Sequence, residues 1–180
     1  AQPPARKLLK NQDTTSVVRK TDTVVVKKEQ LTAIVYQKAD STRTDVAKRM
    51  TYLIRNAQVK YGDMQIDADY MQIDWRANTI YARGKEDKDG KIIKPASATQ
   101  AGKTYEYDSF NFNIKTGQAI AYNARTEESE GVIVAQKTKK YNDSIFFMKR
   151  GKYTTDEFFI KKKDTIADYY LLAPNIKLVK

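Results

Sequence analysis

The stretch Asp69-Tyr-Met-Gln-Ile-Asp-Trp-Arg-Ala-Asn-Thr-Ile-Tyr-Ala-Arg-Gly84 aligns without a gap on Asp108-Ser-Phe-Asn-Phe-Asn-Ile-Lys-Thr-Gly-Gln-Ala-Ile-Ala-Tyr-Asn123. The offset is a constant 39 residues, from Asp69 to Asp108 and from Asp74 to Asn113 alike. Each copy holds an acid, a run of alternating apolar and polar residues, a basic residue, a tight turn and a second alternating run. This pattern predicts a repeated β-hairpin. One hairpin cannot bury its apolar face alone, whereas stacked copies can, and they build a long continuous groove.

Strand signals continue on both sides of the repeat. Met64 to Asp69 alternates strictly, with Met64, Ile66 and Ala68 on one face and Gln65, Asp67 and Asp69 on the other. Met71, Ile73 and Trp75 carry the apolar face onward after a one-residue shift at Tyr70, where a bulge or corner is expected. Upstream, Val24-Val25-Val26 and Leu31 to Tyr36 read as strands, and Ala39-Asp40-Ser41 as a faint copy of the acid that opens the repeat. Thr44 to Arg55 has the charge pattern of a short helix. Tyr52, Ile54, Val59 and Tyr61 argue instead for strands around a bend at Asn56-Ala57. Lys85 to Lys103 reads as a polar excursion from the sheet, broken by the type I′ signal Asp89-Gly90. Tyr105, Tyr107, Ala119, Ala121, Val132 to Ala135, Ile145 to Met148, Phe158 to Ile160 and Tyr169 to Leu172 supply further strands. The expectation is an all-β domain over residues 24–180, behind a flexible tail over residues 1–23 that sets Pro3-Pro4, Arg6, Lys7, Lys10, Arg19 and Lys20 among Asn, Asp, Thr and Ser.

Composition narrows the chemistry. The 180 residues include no cysteine and no histidine, so thiolate sites and Ser-His or Cys-His couples are excluded. Glycine (7) and proline (4) are scarce and 41% of residues are hydrophobic, which points to a folded core. Twelve tyrosines against six phenylalanines and one tryptophan suit pleated surfaces that are apolar at the ring and wet at the hydroxyl. No apolar run reaches the roughly 18 residues of a spanning helix. The chain opens at Ala1 with no charged-then-apolar leader, so a processed or truncated start is expected. The formal charge is +11, which either solvates an edge-rich β protein or meets an anionic partner.

Few residues carry reactive chemistry. Asp63, Asp67, Asp69 and Asp74 form the densest acidic cluster, but each stands in the polar phase of an alternating strand, where solvent is expected. Lys137 to Lys140 and Lys161 to Lys163 read as edge or loop lysines. The apolar positions of the two copies remain. Met64, Ile66, Met71, Ile73, Ile80, Phe110, Phe112 and Ile114 form either the inside of a sandwich or the lining of a trough that accepts acyl chains.

The unit Tyr61-Gly-Asp-Met-Gln-Ile-Asp-Ala-Asp-Tyr-Met-Gln-Ile-Asp-Trp75, with Asn78-Thr-Ile-Tyr-Ala-Arg-Gly84, resembles the OstA-like repeat. That repeat occurs in periplasmic lipopolysaccharide-transport proteins and in the N-terminal domain of LptD-type outer-membrane assembly proteins. Gly151-Lys-Tyr-Thr-Thr-Asp156, Asp168-Tyr-Tyr-Leu-Leu-Ala173 and Ile176-Lys-Leu178 resemble the segment that leads into the LptD barrel. The resemblance spans Leu31 to Val179. It implies an open, twisted β-jellyroll of repeated hairpins, a periplasmic location at the outer membrane, and lipopolysaccharide conduction through the apolar interior without covalent chemistry or cofactor. It also implies partners: other OstA-like jellyrolls stacked by edge strands, and an outer-membrane β-barrel with its lipoprotein. The eight apolar positions carry over as lipid-binding candidates. Where the family usually has cysteine after Tyr-Thr-Thr, this chain has Asp156, and no barrel follows within it; an excised domain and a barrel-free relative both fit.

Two other classes compete. A nucleic-acid binder would set lysines and arginines among exposed aromatics on one strand face, but the basic residues read as belonging to turns and loops, so no nucleic-acid partner is expected. A structural β-repeat scaffold would have a closed core. An enzyme is disfavoured, for want of a base or nucleophile constellation.

Overall fold

The computed structural model describes residues 34–128, 130–162 and 166–179. The tail expected over residues 1–23, the strand expected at Val24-Val25-Val26 and the first three residues of the strand expected from Leu31 to Tyr36 lie outside them. Fourteen strands and one helix occur among the described residues: β1 (Ile34–Lys38), β2 (Ser41–Asp45), β3 (Met50–Tyr61), β4 (Met64–Asp74), β5 (Thr79–Arg83), β6 (Lys85–Glu86), β7 (Ile92–Lys94), β8 (Ala96–Gln100), β9 (Lys103–Tyr107), β10 (Ser109–Asn113), β11 (Ala119–Glu128), β12 (Gly131–Lys140), β13 (Ile145–Thr154), α1 (Glu157–Lys162) and β14 (Leu171–Val179).

The repeated unit is a hairpin in both copies, β4–β5 and β10–β11. The two hairpins lie side by side, because β5 pairs with β10 from Arg83↔Ser109 to Thr79↔Asn113. Their turns are chemically equivalent. Asp74 Oδ1 accepts the backbone N–H groups of Arg76 and Ala77, both at 2.8 Å. Asn113 Oδ1, 39 residues on, accepts those of Lys115 and Thr116 at 3.0 and 2.9 Å. An Asx side chain mimics a backbone turn in this way. Asn78 and Gly117, again equivalent, both take the left-handed conformation at φ +55° and +69°.

Stacking continues into one antiparallel sheet ordered β1-β3-β4-β5-β10-β11-β12-β13-β14, with β2 beside β3 and with β8 and β9 bridging β4 to β11. The long strands change partners midway. β3 pairs with β2 through Met50 to Ile54 and with β1 through Gln58 to Tyr61. β4 pairs with β5 through Tyr70 to Asp74 and with β8 through Gln65 to Asp67. β11 pairs with β10 and then with β9. The sheet is therefore creased into a first half containing β2, β5 and β10 and a second containing β1, β8 and β9. The halves face each other as an all-β jellyroll of repeated hairpins.

The crease is written in the repeat itself. Arg55 and Asn56 bulge out of β3 at φ +61° and +49°, and Asn123 and Arg150 interrupt β11 and β13 at +49° and +50°. Asn is among the few side-chain-bearing residues that tolerate this region. Its amide is then held by the acid that opens each unit: Asn56 Nδ2 donates to Asp40 at 3.1 Å and Asn123 Nδ2 to Asp108 at 2.6 Å. Asp40 N–H donates to Arg55 O, and Asp108 N–H to Tyr122 O, at the same relative place. Ala39-Asp40-Ser41 is thus a third copy of the corner. In the middle copy Gly84 replaces Asn, since a Cβ there would collide with the Lys94 carbonyl oxygen.

Three local expectations are corrected. Phe158 to Ile160 is helical, not a strand. Asp156 caps α1 by accepting Phe158 N–H at 2.9 Å, and Arg125 of β11 donates to the Phe159 and Ile160 carbonyls at 3.1 and 3.3 Å. Such tertiary contacts override the β propensity of Phe and Ile. The Lys85 to Lys103 excursion ends early, because β8 rejoins the sheet against β4 and β9. At Asp89-Gly90 only Gly90 has positive φ (+78°), and Asp87 O accepts Gly90 N–H, so the loop is the three-residue type with glycine in the left-handed position.

Candidate functional site

Cross-strand partners share a face of a sheet, so the registers give the inner wall row by row. In the first half-sheet one inward row reads Leu53, Met71, Ala82, Phe110, Ala121, Thr138, Met148, Ile176. The next reads Thr51, Ile73, Ile80, Phe112, Ala119, Lys140, Phe146, Leu178. The facing row in the second half reads Val59, Ile66, Ala98, Tyr105, Thr126, Ile133, Tyr153, Leu171. At the β3–β5 end the three rows hold Leu53 and Met71, Ile73 and Ile80, and Val59 and Ile66, which are bulky and apolar. Around β11 and β12 the first two turn small or polar, with Ala121 and Thr138 in one and Ala119 and Lys140 in the other.

That change in side-chain size decides where the interior is filled. Leu53, Val59, Ile66, Met71, Ile73 and Ile80 are all 0% exposed and form one sealed core. Past Phe110 and Phe112 the alanines leave a cavity of about 330 Å³, at the lower end of the range of small-molecule sites. Its first-half wall is Phe110, Phe112, Ala119, Ala121 and Phe146; its second-half wall is Met64, Ala98, Tyr105 and Tyr107. A narrower extension runs along Thr126 and Thr138 to Met148 and Leu178. Aromatic contacts close the deep end: Tyr107 lies 5.2 Å from Phe110 and Tyr61 lies 5.9 Å from Phe112, its hydroxyl donating to Ile114 O at 3.1 Å.

Polar groups gather at the mouth. Lys140 sits at an inward position, its ammonium 2.8 Å from Asp143 and donating to Gln100 Oε1 at 3.3 Å, so one hydrogen bond spans the two half-sheets there. Lys103 pairs with Glu128 at 3.3 Å. Deeper in, burial, with Tyr105 beside it, pushes the Tyr107 phenol above the usual tyrosine range. Thr138 Oγ1 is buried without a hydrogen-bond partner among the described residues. The groove therefore has apolar walls and, at its mouth, two lysines each paired with a carboxylate.

Of the eight residues singled out in the sequence, Met64, Phe110 and Phe112 line the cavity. All eight belong to one buried cluster, but Ile66, Met71, Ile73, Ile80 and Ile114 are not on the cavity wall. Sequence reading placed Tyr105, Tyr107, Ala119 and Ala121 on strands without assigning them to the site. Their signal was the repeat register, which sets Ala119 and Ala121 where the first copy has Ile80 and Ala82. The acidic residues have structural partners: Asp67 accepts from Gln58 and Gln65, and Asp63 from Gln100. The lysines do not keep to turns and loops, since Lys137 and Lys139 stand on the outward face of β12.

No protein-family model and no curated protein sequence matches the chain. In three dimensions it is similar to LptH from Pseudomonas aeruginosa, the LptA-homologous periplasmic component of the lipopolysaccharide transport device. The TM-score is 0.53 over 81% of this chain and 94% of LptH, at 11% sequence identity. The chain has the LptH fold. In both proteins the fold is a β-jellyroll, and at this identity the likeness is one of architecture.

Proposed function

We propose that the protein is a non-enzymatic periplasmic module that carries lipopolysaccharide toward the outer membrane, with acyl chains in the groove between β8–β9 and β10–β12. The observation that carries this reading is the accessible apolar cavity of about 330 Å³ on an LptH fold. Alanines at 119 and 121 keep it from filling, and Lys103 and Lys140 stand at its mouth, where the phosphates of such a lipid lie beside its chains. Met64, Phe110 and Phe112 make the direct contacts. Ile66, Met71, Ile73, Ile80 and Ile114 form the wall behind them, which a chain reaches only if the half-sheets part.

The partners follow the same reading. β14 pairs on one side only among the described residues, and Leu171, Leu172 and Val179 are 72%, 63% and 62% exposed. It is the edge on which another jellyroll, or a barrel with its lipoprotein, would add a strand. An LptD-type N-terminal domain is the form of the family that the Gly151 to Leu178 segment fits. Asp156, in the place of the family's cysteine, acts as the cap of α1.

A photocrosslinking side chain at Phe112 tests the proposal. It is expected to label lipopolysaccharide, whereas the same group at Ile80, one strand away in the same row but sealed, labels little. Equal labelling at both sites, or none at Phe112, refutes the groove.

A further inference from the structure

The outward face of the first half-sheet has rows of its own. Across β11 to β14 they read Tyr122, Lys137, Lys149, Asn175 and Ile120, Lys139, Phe147, Lys177. Ile120, Tyr122 and Phe147 are 36%, 47% and 44% exposed, and all four lysines are exposed with them. Neither row contains an acid. Among the described residues none of the four lysines makes an ion pair.

This arrangement carries a local cost. Lys137 stands directly opposite Lys149, and like charges facing each other across a ladder repel. Solubility alone is served by scattering lysines among acids. Four within two strand spacings, set around three uncovered apolar side chains, make a concentrated positive potential with an oily centre.

We propose that this face docks the protein on an anionic bilayer surface. The lysine stems extend past the apolar side chains and set their ammonium groups among lipid phosphates. Ile120, Tyr122 and Phe147 enter the boundary between headgroups and acyl chains. A single-stranded nucleic acid fits the patch less well, because stacking needs free ring faces. Ile120 has none, and the Lys137 ammonium lies over the Tyr122 ring, 5.4 Å from its centroid, so Phe147 alone of the three offers an uncovered ring, too few for successive bases to stack on. The patch lies on the opposite side of the sheet from the groove, and the inference does not depend on what the groove holds.

The test is co-sedimentation of the full chain with vesicles of phosphatidylcholine, with and without phosphatidylglycerol. Binding is expected only to the anionic vesicles and to fall as salt rises. The Lys137→Gln/Lys149→Gln variant should lose about 25-fold in partitioning, the effect of two lysines near an anionic surface. Ile120→Ser/Phe147→Ser should weaken binding without changing its salt dependence. Lys88→Gln/Lys91→Gln removes the same charge at the tip of the β6–β7 hairpin and should change partitioning little. All three exchanges are at exposed positions, and circular dichroism checks that each variant folds. Equal losses from the two lysine pairs would reduce the effect to net charge and overturn the proposal. So would equally tight binding to an oligothymidylate with the same dependence on Lys137 and Lys149.

Discussion

Ala82 and Ala121 flank Phe110 in one inward row, and the same substitution at each should have different consequences. Ala82 is 0% exposed inside the sealed core, whereas Ala121 faces the cavity of about 330 Å³. Ala82→Leu inserts three carbons where no space exists, and overpacking of this kind costs about 1–3 kcal/mol. At Ala121 the same carbons enter the groove. Half-burying three of them at ~0.8 kcal/mol per fully buried CH₂ gains about 1 kcal/mol, which the rotamer entropy of a new leucine largely offsets. Ala121→Leu should therefore be nearly neutral. At about 2–4 °C per kcal/mol for a domain of this size, Ala82→Leu should melt roughly 2–12 °C below Ala121→Leu when thermal unfolding is followed by circular dichroism. Ligand binding should show the reverse order: Ala121→Leu narrows the groove and weakens uptake of a fluorescent fatty acid, while folded Ala82→Leu retains it. Equal melting temperatures for the two variants would refute the contrast between a filled end and an open end.

The crease and the clasp of α1 give two further expectations. Asn123→Ala puts a Cβ-bearing residue without a local hydrogen bond at φ +49° and removes the bond to Asp108, a combined cost of about 2 kcal/mol. Asn123→Gly loses only the bond and should cost about half as much in urea denaturation; an alanine variant as stable as the glycine variant would show that the left-handed corner carries no strain. The Asp156 carboxyl is held below its usual pKa of 3.8 by the N–H donors of Asp168, Phe159 and Phe158. Its folded value is the lower one, so its contribution is complete above about pH 4 and is lost as pH falls through that lower value. Amide protection at Phe158, Phe159 and Asp168 should drop together in acid, after correction for intrinsic exchange, and Asp156→Asn should abolish the step; the same acid step in the Asn variant would count against the clasp.

Sequence made the hairpins visible but not the groove, and Ile73 and Phe112 show why. They are the same residue of the repeat, 39 positions apart, and both point inward. Alternation states which face a side chain takes and nothing about what stands across from it. Ile73 is sealed in a core that holds Val59 and Ile66, while Phe112 lies beside a space bounded by Ala98 and Tyr105. Those opposing residues belong to strands whose place in the sheet is set by long-range pairing. The misread helix has the same origin. Phe158-Phe-Ile160 has strand propensity by composition, and its helical form depends on Arg125, 34 residues away from Phe159 in the chain. The crease was legible in principle, since Asp40, Asp69 and Asp108 open three copies and Asn56 and Asn123 answer two of them.

An open trough also has to be kept from collapsing. Beyond the groove walls, on β12 and β13, the inner core is thin, with Ile133, Ala135 and Met148 as its buried members. The second-half wall there, the ends of β11, β12 and β13, is braced from outside instead. Arg125 lies against the Phe159 ring at 4.6 Å and holds two carbonyls of α1. Thr154 Oγ1 accepts Asp156 N–H and donates to Tyr169 O at 2.7 Å, while Asp156 accepts Asp168 N–H. The chain that leaves β13 is thereby pinned across the back of the wall before it returns as β14. Apolar burial that a closed sandwich would place between its sheets is moved to the outer face, with Val132 at 1% exposure as its deepest member. A jellyroll braced in this way can leave alanines on the inside of β11 and still hold that strand in register, which is the condition for an interior that stays accessible.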